Sequence, residues 1–307
     1  MRKGPQTHIS HAKKRYVRRL AGYALNPLAA TARSRLGREQ DYLIGEHPVV
    51  LPPGTTSPST SVATRPTTAT PKDSSPLSQA PPRLRVVDLG ANVGDTAVAM
   101  LTAAPGIEVV AVEGSPRFAA YLRRNVADFG ARTTVVERFV GPVATTTATF
   151  TTSGTTGGFQ ATRTGDEIEE VETDDSSWVS PAELLAGGED YDATLWKSDI
   201  DGFDIHVLVE HWDTVTSACE VLWFEYDPAG TLGDKADIDR LVELLAGSGR
   251  RVVVYDNLGR RMVELTPSAA VGPALEALTA WLVEQRSGHL VVPYVDIWAY
   301  DDDRLAP

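Results

Sequence analysis

From Arg83 onward, short apolar runs alternate with stretches in which apolar residues return every three or four positions. Arg85-Val86-Val87-Asp88 reads as a strand ending in an acid, and a Gly-rich turn then leads to a helix from about Asp95 to Ala104. Glu108 to Glu113 is a second strand, and Pro116 to Phe129 a second helix with proline in its first turn, where the missing N–H costs nothing. Thr133 to Glu137 reads as the third strand, Asp192 to Asp199 the fourth, Cys219 to Tyr226 the fifth and Arg251 to Tyr255 the sixth. Asp237 to Ala246 and Pro273 to Gln285 have helical spacing, Tyr294 to Tyr300 is a last strand, and the Thr- and Gly-rich stretch 145–164 reads as a hairpin or loop. Strands alternating with helices predict an α/β fold: a doubly wound, seven-stranded, mostly parallel sheet. The strand order fits a Rossmann-like sheet in which the last strand inserts antiparallel.

The N-terminal third is different. Residues 8–38 read as one or two helices interrupted near Asn26-Pro27, and 41–51 as a short strand pair or an extended segment. From Pro52 to Pro82 the chain is mostly Pro, Thr, Ser and Ala, with Arg65, Lys72 and Asp73 as its only charges and no aromatic residue. Such a composition buries too little apolar surface to offset the entropy of ordering. Three parts are therefore expected: a basic, partly helical N-terminal extension over 1–51, a Pro/Thr/Ser-rich linker or insertion over 52–82, and a catalytic domain over 83–307.

Charge sharpens this division. The 307 residues carry a net charge of −12, yet residues 1–38 hold ten Lys or Arg and no acid, which leaves 19 basic against 41 acidic residues in the rest. The acidic body would repel a nucleic-acid backbone, so nucleic acid is not an expected partner. The basic head reads as the charged face of a solvated helix, with RNA, an acidic membrane surface and the acidic body itself as the other options. No apolar run is long enough to span a bilayer, and no apolar h-region follows Met1-Arg2-Lys3. The single cysteine, Cys219, lies beside Val221-Leu222-Trp223-Phe224 and reads as a buried thiol. Together these features predict a cytoplasmic protein.

Candidate chemistry begins at Asp88-Leu89-Gly90-Ala91-Asn92-Val93-Gly94-Asp95. Gly90 and Gly94 allow backbone to approach a ligand, and the turn opens a helix whose N–H groups can receive an anionic group. The spacing Asp-x-Gly-x-x-x-Gly differs from the Gly-x-Gly-x-x-Gly that packs against pyrophosphate. Asp88 at the strand end would repel a diphosphate and favour the ammonium and sulfonium charges of S-adenosylmethionine. Glu113, twenty-five residues on, ends the second strand, where a carboxylate can accept both ribose hydroxyls. Adenine is expected near the end of the third strand, with Glu137 and Arg138 as candidates.

A second constellation, Lys197-Ser198-Asp199-Ile200-Asp201-Gly202-Phe203-Asp204, closes the fourth strand, and Glu225-Tyr226-Asp227 the fifth. Ligands of open α/β sheets bind at the carboxyl ends of the strands, so these groups should share the crevice of Gly90 and Glu113. Methyl transfer asks mainly for alignment, and an alcohol acceptor adds the need for a base. Asp199 and Asp201 are the first candidates for that base, with His206 and His211 as alternatives. Asp199, Asp201 and Glu225 offer hard oxygen ligands for a divalent cation such as magnesium, but no metal-specific spacing favours one.

Three segments resemble the FkbM-type methyltransferases: Val86 to Asp95, Val110 to Pro116 and Lys197 to Asp204. The likeness continues through Trp223-Phe224-Glu225-Tyr226 and Tyr294 to Tyr300, and spans roughly residues 83–302. The first segment alone indicates a class I methyltransferase, and the Lys-x-Asp-x-Asp-Gly-Phe-Asp segment is the more specific. The resemblance implies O-methylation of a small molecule or glycan, often a sugar or natural-product scaffold. It places the cofactor on Asp88, Gly90, Asn92, Gly94 and Glu113, and puts Lys197 to Asp201 near the reacting centre. The alternative is a protein of the same fold that binds the cofactor without catalysis.

Overall fold

The computed structural model describes residues 39–53, 82–140, 147–153, 156–158, 167–172, 175–257, 259–266, 268–285 and 292–305. The helices expected over 8–38 and nearly all of the 52–82 stretch lie outside them.

An eight-stranded sheet forms the centre. Its strands in chain order are β3 (Leu84–Leu89), β4 (Ile107–Val112), β5 (Thr133–Val136), β9 (Ala193–Ser198), β10 (Val221–Tyr226), β11 (Arg251–Asp256), β12 (Arg261–Leu265) and β13 (Val295–Tyr300). In space they run β12-β11-β13-β10-β9-β3-β4-β5. β5, β4, β3, β9 and β10 pair parallel, while β13 inserts antiparallel between β10 and β11. This is the expected methyltransferase order, extended by β12, which folds back on β11 as an unforeseen edge strand. Its first three residues are exposed, so the sequence there carries little apolar signal.

The central strands are apolar because both faces are covered. Every residue of β3 and β9 is buried. On one face lie α1 (Asp95–Ala103) and α2 (Pro116–Val126), which bury Met100, Leu101, Phe118 and Leu122 against Val86 and Val109. On the other lie α3 (Pro181–Leu185), α4 (Asp204–Glu210), α5 (Trp212–Ala218), α6 (Ala236–Gly247) and α7 (Val271–Gln285), packed on Val87, Leu222, Phe224 and Val254. Helix ends follow local rules. Ser115 caps α2 ahead of Pro116, and Ser180 and Glu183 form a reciprocal capping box on α3. Buried Arg85 and Arg250 donate to the terminal carbonyls of α3 and α5, respectively.

The pair expected near 41–51 is a hairpin, β1 (Gln40–Ile44) and β2 (His47–Leu51). Asn125 of α2 docks it, accepting from the Val50 N–H at 2.9 Å and donating to the carbonyls of Val50 and Val93. The Thr/Gly-rich stretch becomes β6 (Thr147–Ser153) and β7 (Thr156–Gly158), which join β8 (Glu167–Glu172) in a separate antiparallel sheet. Cys219 is buried as expected, and burial pushes its thiol up to about 12, so it is no nucleophile. Among the described residues no helix is long and apolar enough to cross a membrane.

Candidate active site

The carboxyl ends of β3, β4, β5 and β9 border one cleft that opens to solvent. Its floor is the turn after β3. There Gly90, Asn92 and Gly94 adopt left-handed φ values of 70°, 51° and 85°. Asparagine tolerates such a φ better than most residues, and glycine pays no steric penalty there. The two glycines are required by protein packing as well. A Cβ on Gly90 would fall 1.8 Å from the carbonyl oxygen of Asp199, and one on Gly94 would meet Leu122 at 2.6 Å. The first turn therefore touches the loop after β9 directly.

Glu113, just past β4, is the best-held group. One carboxylate oxygen accepts the Asn92 N–H and the other the Ser115 N–H, both at 2.8 Å. Burial pushes its carboxyl up to about 7, even though these two bonds favour the ionised form. The carboxylate lines the cleft together with Gly90 and Asn92.

The β5 side of the cleft was only partly legible in the sequence. Arg138 lines the cleft, but Glu137 is exposed and pairs with Arg123 of α2. The main surface here comes from Phe118, Phe139 and Val140, none of which the motifs pointed to. Phe139 runs beside Ser177 and Val179 in a short bridge, and its ring lies 5.5 Å from that of Trp178. Gly114 is the residue that admits this ring, since a Cβ there would lie 2.0 Å from Phe139 Cδ1. Gly114→Ala should thus displace Phe139, lowering stability by about 1–3 kcal/mol as over-packed sites do. Urea unfolding measures this, and an unchanged midpoint would show that the ring has room to move.

On the opposite wall, Asp199, Ile200, Asp201 and Phe203 line the cleft. Asp204 organises this loop, accepting from the Ser198 hydroxyl, from the Ile200 N–H at 3.0 Å and from the Gly202 N–H at 3.4 Å. Asp201 has a left-handed φ of 49°. Burial, then the charge of Asp199, raises its carboxyl well above the ordinary range, and the same two causes push Asp204 up to about 6. Glu225 and Asp296 stand opposite each other on β10 and β13. Glu225 is raised by burial and then by Asp199, as is Asp296, to about 7, although the Trp223 indole N–H donates to Asp296. Asp296 could not be found without knowing that β13 inserts beside β10.

Other predicted residues lie elsewhere. Asp88 is completely buried and does not line the cleft; the Lys197 ammonium sits 2.8 Å from its Oδ1. Lys197 is itself only 3% exposed and lies 3.8 Å from Asp199 Oδ2. Burial alone would favour loss of its proton, but Asp88 and then Asp199 outweigh it, so the ammonium is strongly held. Gly94 lies behind the cleft under Leu122. His206 faces away on α4, with Nδ1 2.7 Å from Asp237 and Nε2 3.5 Å from Glu210, and His211 is 4.0 Å from Glu210. Asp199, Asp201 and Glu225 do not converge as a metal set; among the described residues no group of three His, Cys, Asp or Glu does.

Strand order and cleft together define a Rossmann-like sheet of the methyltransferase kind. No protein-family model and no curated protein matches the chain. Solved structures overlap it loosely. Precorrin-6y C5,15-methyltransferase from Geobacter metallireducens is 15% identical, over 73% of this chain and 83% of its own, with a TM-score of 0.33. The O-methyltransferase from Bacillus cereus in complex with SAH is 10% identical, over 71% and 74%, with a TM-score of 0.36. Overlap at this level does not transfer an activity.

Proposed function

We propose that this chain binds S-adenosylmethionine and methylates a hydroxyl of a small molecule or glycan, the work being done by residues 83–307. The observation that supports it most is Glu113. Its carboxylate is fixed at a strand end by two backbone N–H groups and presented to the cleft, with lone pairs left for a vicinal diol. The cleft also fits the group in its other features. Gly90 and Asn92 line its floor, Phe118 and Phe139 offer apolar faces for a base, and the lining acids Glu113, Asp199 and Asp201 disfavour a diphosphate.

The bound cofactor supplies an activated methyl group, so the protein has only to orient the acceptor and receive its proton. Asp199, with its side chain half exposed at the cleft wall, is the group placed to accept that proton. Asp201 holds its own proton to higher pH and serves as a hydrogen-bond donor that orients the acceptor. Phe203 and Ile200 add apolar surface to this wall. The FkbM resemblance of the Lys197 to Asp204 segment supports an oxygen acceptor.

Calorimetry should show binding of S-adenosylmethionine and S-adenosylhomocysteine but not NAD, and labelled methyl groups should pass to a small hydroxylated compound in a cell extract. Tight NAD binding would overturn the cofactor assignment. Binding without any transfer would leave a cofactor-binding protein that lacks catalysis.

A further inference from the structure

S-Adenosylmethionine carries one net positive charge, its sulfonium, that S-adenosylhomocysteine lacks. The cleft is built unevenly with respect to such a charge. Among the described residues its lining includes three carboxylates, Glu113, Asp199 and Asp201, and one cation, Arg138. Arg138 follows β5, three positions from β9 in the sheet, which separates the two strand ends by about 14 Å at a strand spacing of about 4.8 Å. Lys197 is nearer, but its buried ammonium sits 2.8 Å from Asp88 and 3.8 Å from Asp199, so one cation serves two carboxylates and leaves the group net negative. Behind Asp199 lie Asp204, Glu225 and Asp296, each of which senses the Asp199 charge more than that of any other residue. Asp95, in the first turn of α1, completes the acidic surroundings, and Tyr42 donates to it at 3.3 Å.

Granted the cofactor proposed above, we propose that the charge of Asp199 makes the cleft selective for the cationic methyl donor over its neutral product. S-Adenosylmethionine then binds more tightly than S-adenosylhomocysteine, and the product leaves because the charge that held its precursor is gone. Charge-based selection of this kind is strongest at low ionic strength and fades as salt screens the half-exposed Asp199.

Calorimetry on the full chain with both compounds, at low and high salt, tests the proposal without any acceptor. At low salt the methyl donor should bind about tenfold more tightly than the product, and the ratio should shrink as salt rises. Asp199→Asn should weaken the donor about tenfold and the product less than about twofold. Asp201→Asn replaces a carboxyl that keeps its proton, so it should change the ratio of the two affinities less than about twofold, and asparagine tolerates the local φ of 49°. Equal or tighter binding of the product, equal losses for both compounds in Asp199→Asn, or a loss of selectivity in Asp201→Asn as large as in Asp199→Asn, would overturn the proposal while leaving the cofactor assignment standing. Failure of both compounds to bind would remove that assignment as well.

Discussion

Lys197→Met is expected to destabilise the protein by about 3–5 kcal/mol at neutral pH, because it strands Asp88 as a buried charge without a counter-ion. Asp88 has no exposed surface, and Lys197 Nζ at 2.8 Å is its cationic neighbour. The carboxylate oxygens of Asp88 have no hydrogen-bond partner of good geometry, so the ion pair alone compensates them. The double variant Asp88→Asn with Lys197→Met should recover most of the loss, since removing both charges is far less costly than removing one. The penalty of the single variant should shrink in acid. Without the ammonium, folded Asp88 holds a proton more tightly than the unfolded chain does, so stability is lost as pH rises. Denaturant unfolding at acidic and neutral pH measures both effects. A Lys197→Met variant as stable as the parent at every pH would show that Asp88 is already neutral in the fold.

Glu113→Ala is expected to weaken S-adenosylmethionine binding about a hundredfold, the loss of two hydrogen bonds to a charged acceptor. A second consequence concerns the empty protein. Burial raises the Glu113 carboxyl from 4.5 to about 7. The folded state thus binds this proton more tightly than the unfolded state does. The stabilisation it gives is complete below about pH 4.5 and is lost as pH rises to about 7, a change of about 3 kcal/mol. Asp296 and Asp204, raised to about 7 and about 6, act with the same sign. Glu113→Gln should therefore flatten, without abolishing, the fall in stability between pH 4.5 and 7. Undiminished cofactor affinity in Glu113→Ala would separate this carboxylate from the ribose; an unchanged pH slope in Glu113→Gln would mean that Glu113 is ionised in the fold throughout.

These expectations join two residues that sequence reasoning treated alike. Asp88 and Glu113 both end strands, and both were assigned to the cofactor. The structure divides them: Glu113 lines the cleft, and Asp88 turns inward to Lys197. Strand alternation allows either outcome, and only the packing across β3, β4 and β9 decides it. The glycines show a similar shift of meaning. Gly90 and Gly94 were read as leaving space for a ligand, yet their missing Cβ atoms make room for Asp199 and Leu122.

The sequence by itself determined the order of strands β3, β4, β5, β9, β10, β11 and β13 and of helices α1, α2, α6 and α7, the turn after β3, and the placing of Glu113 and Asp199 at strand ends, while β12 and α3 to α5 went unforeseen. Those features depend on local periodicity and on backbone conformations that few residues accept, and both are written in short segments. Tertiary structure alone decided which acids share the cleft, which are neutralised beneath it, that Phe139 lines it, and that Asp296 lies beside Glu225 behind it. Such relations depend on contacts between residues far apart in the chain, and on how completely each charge is removed from water. No local pattern encodes either, because both are set by the sheet as a whole.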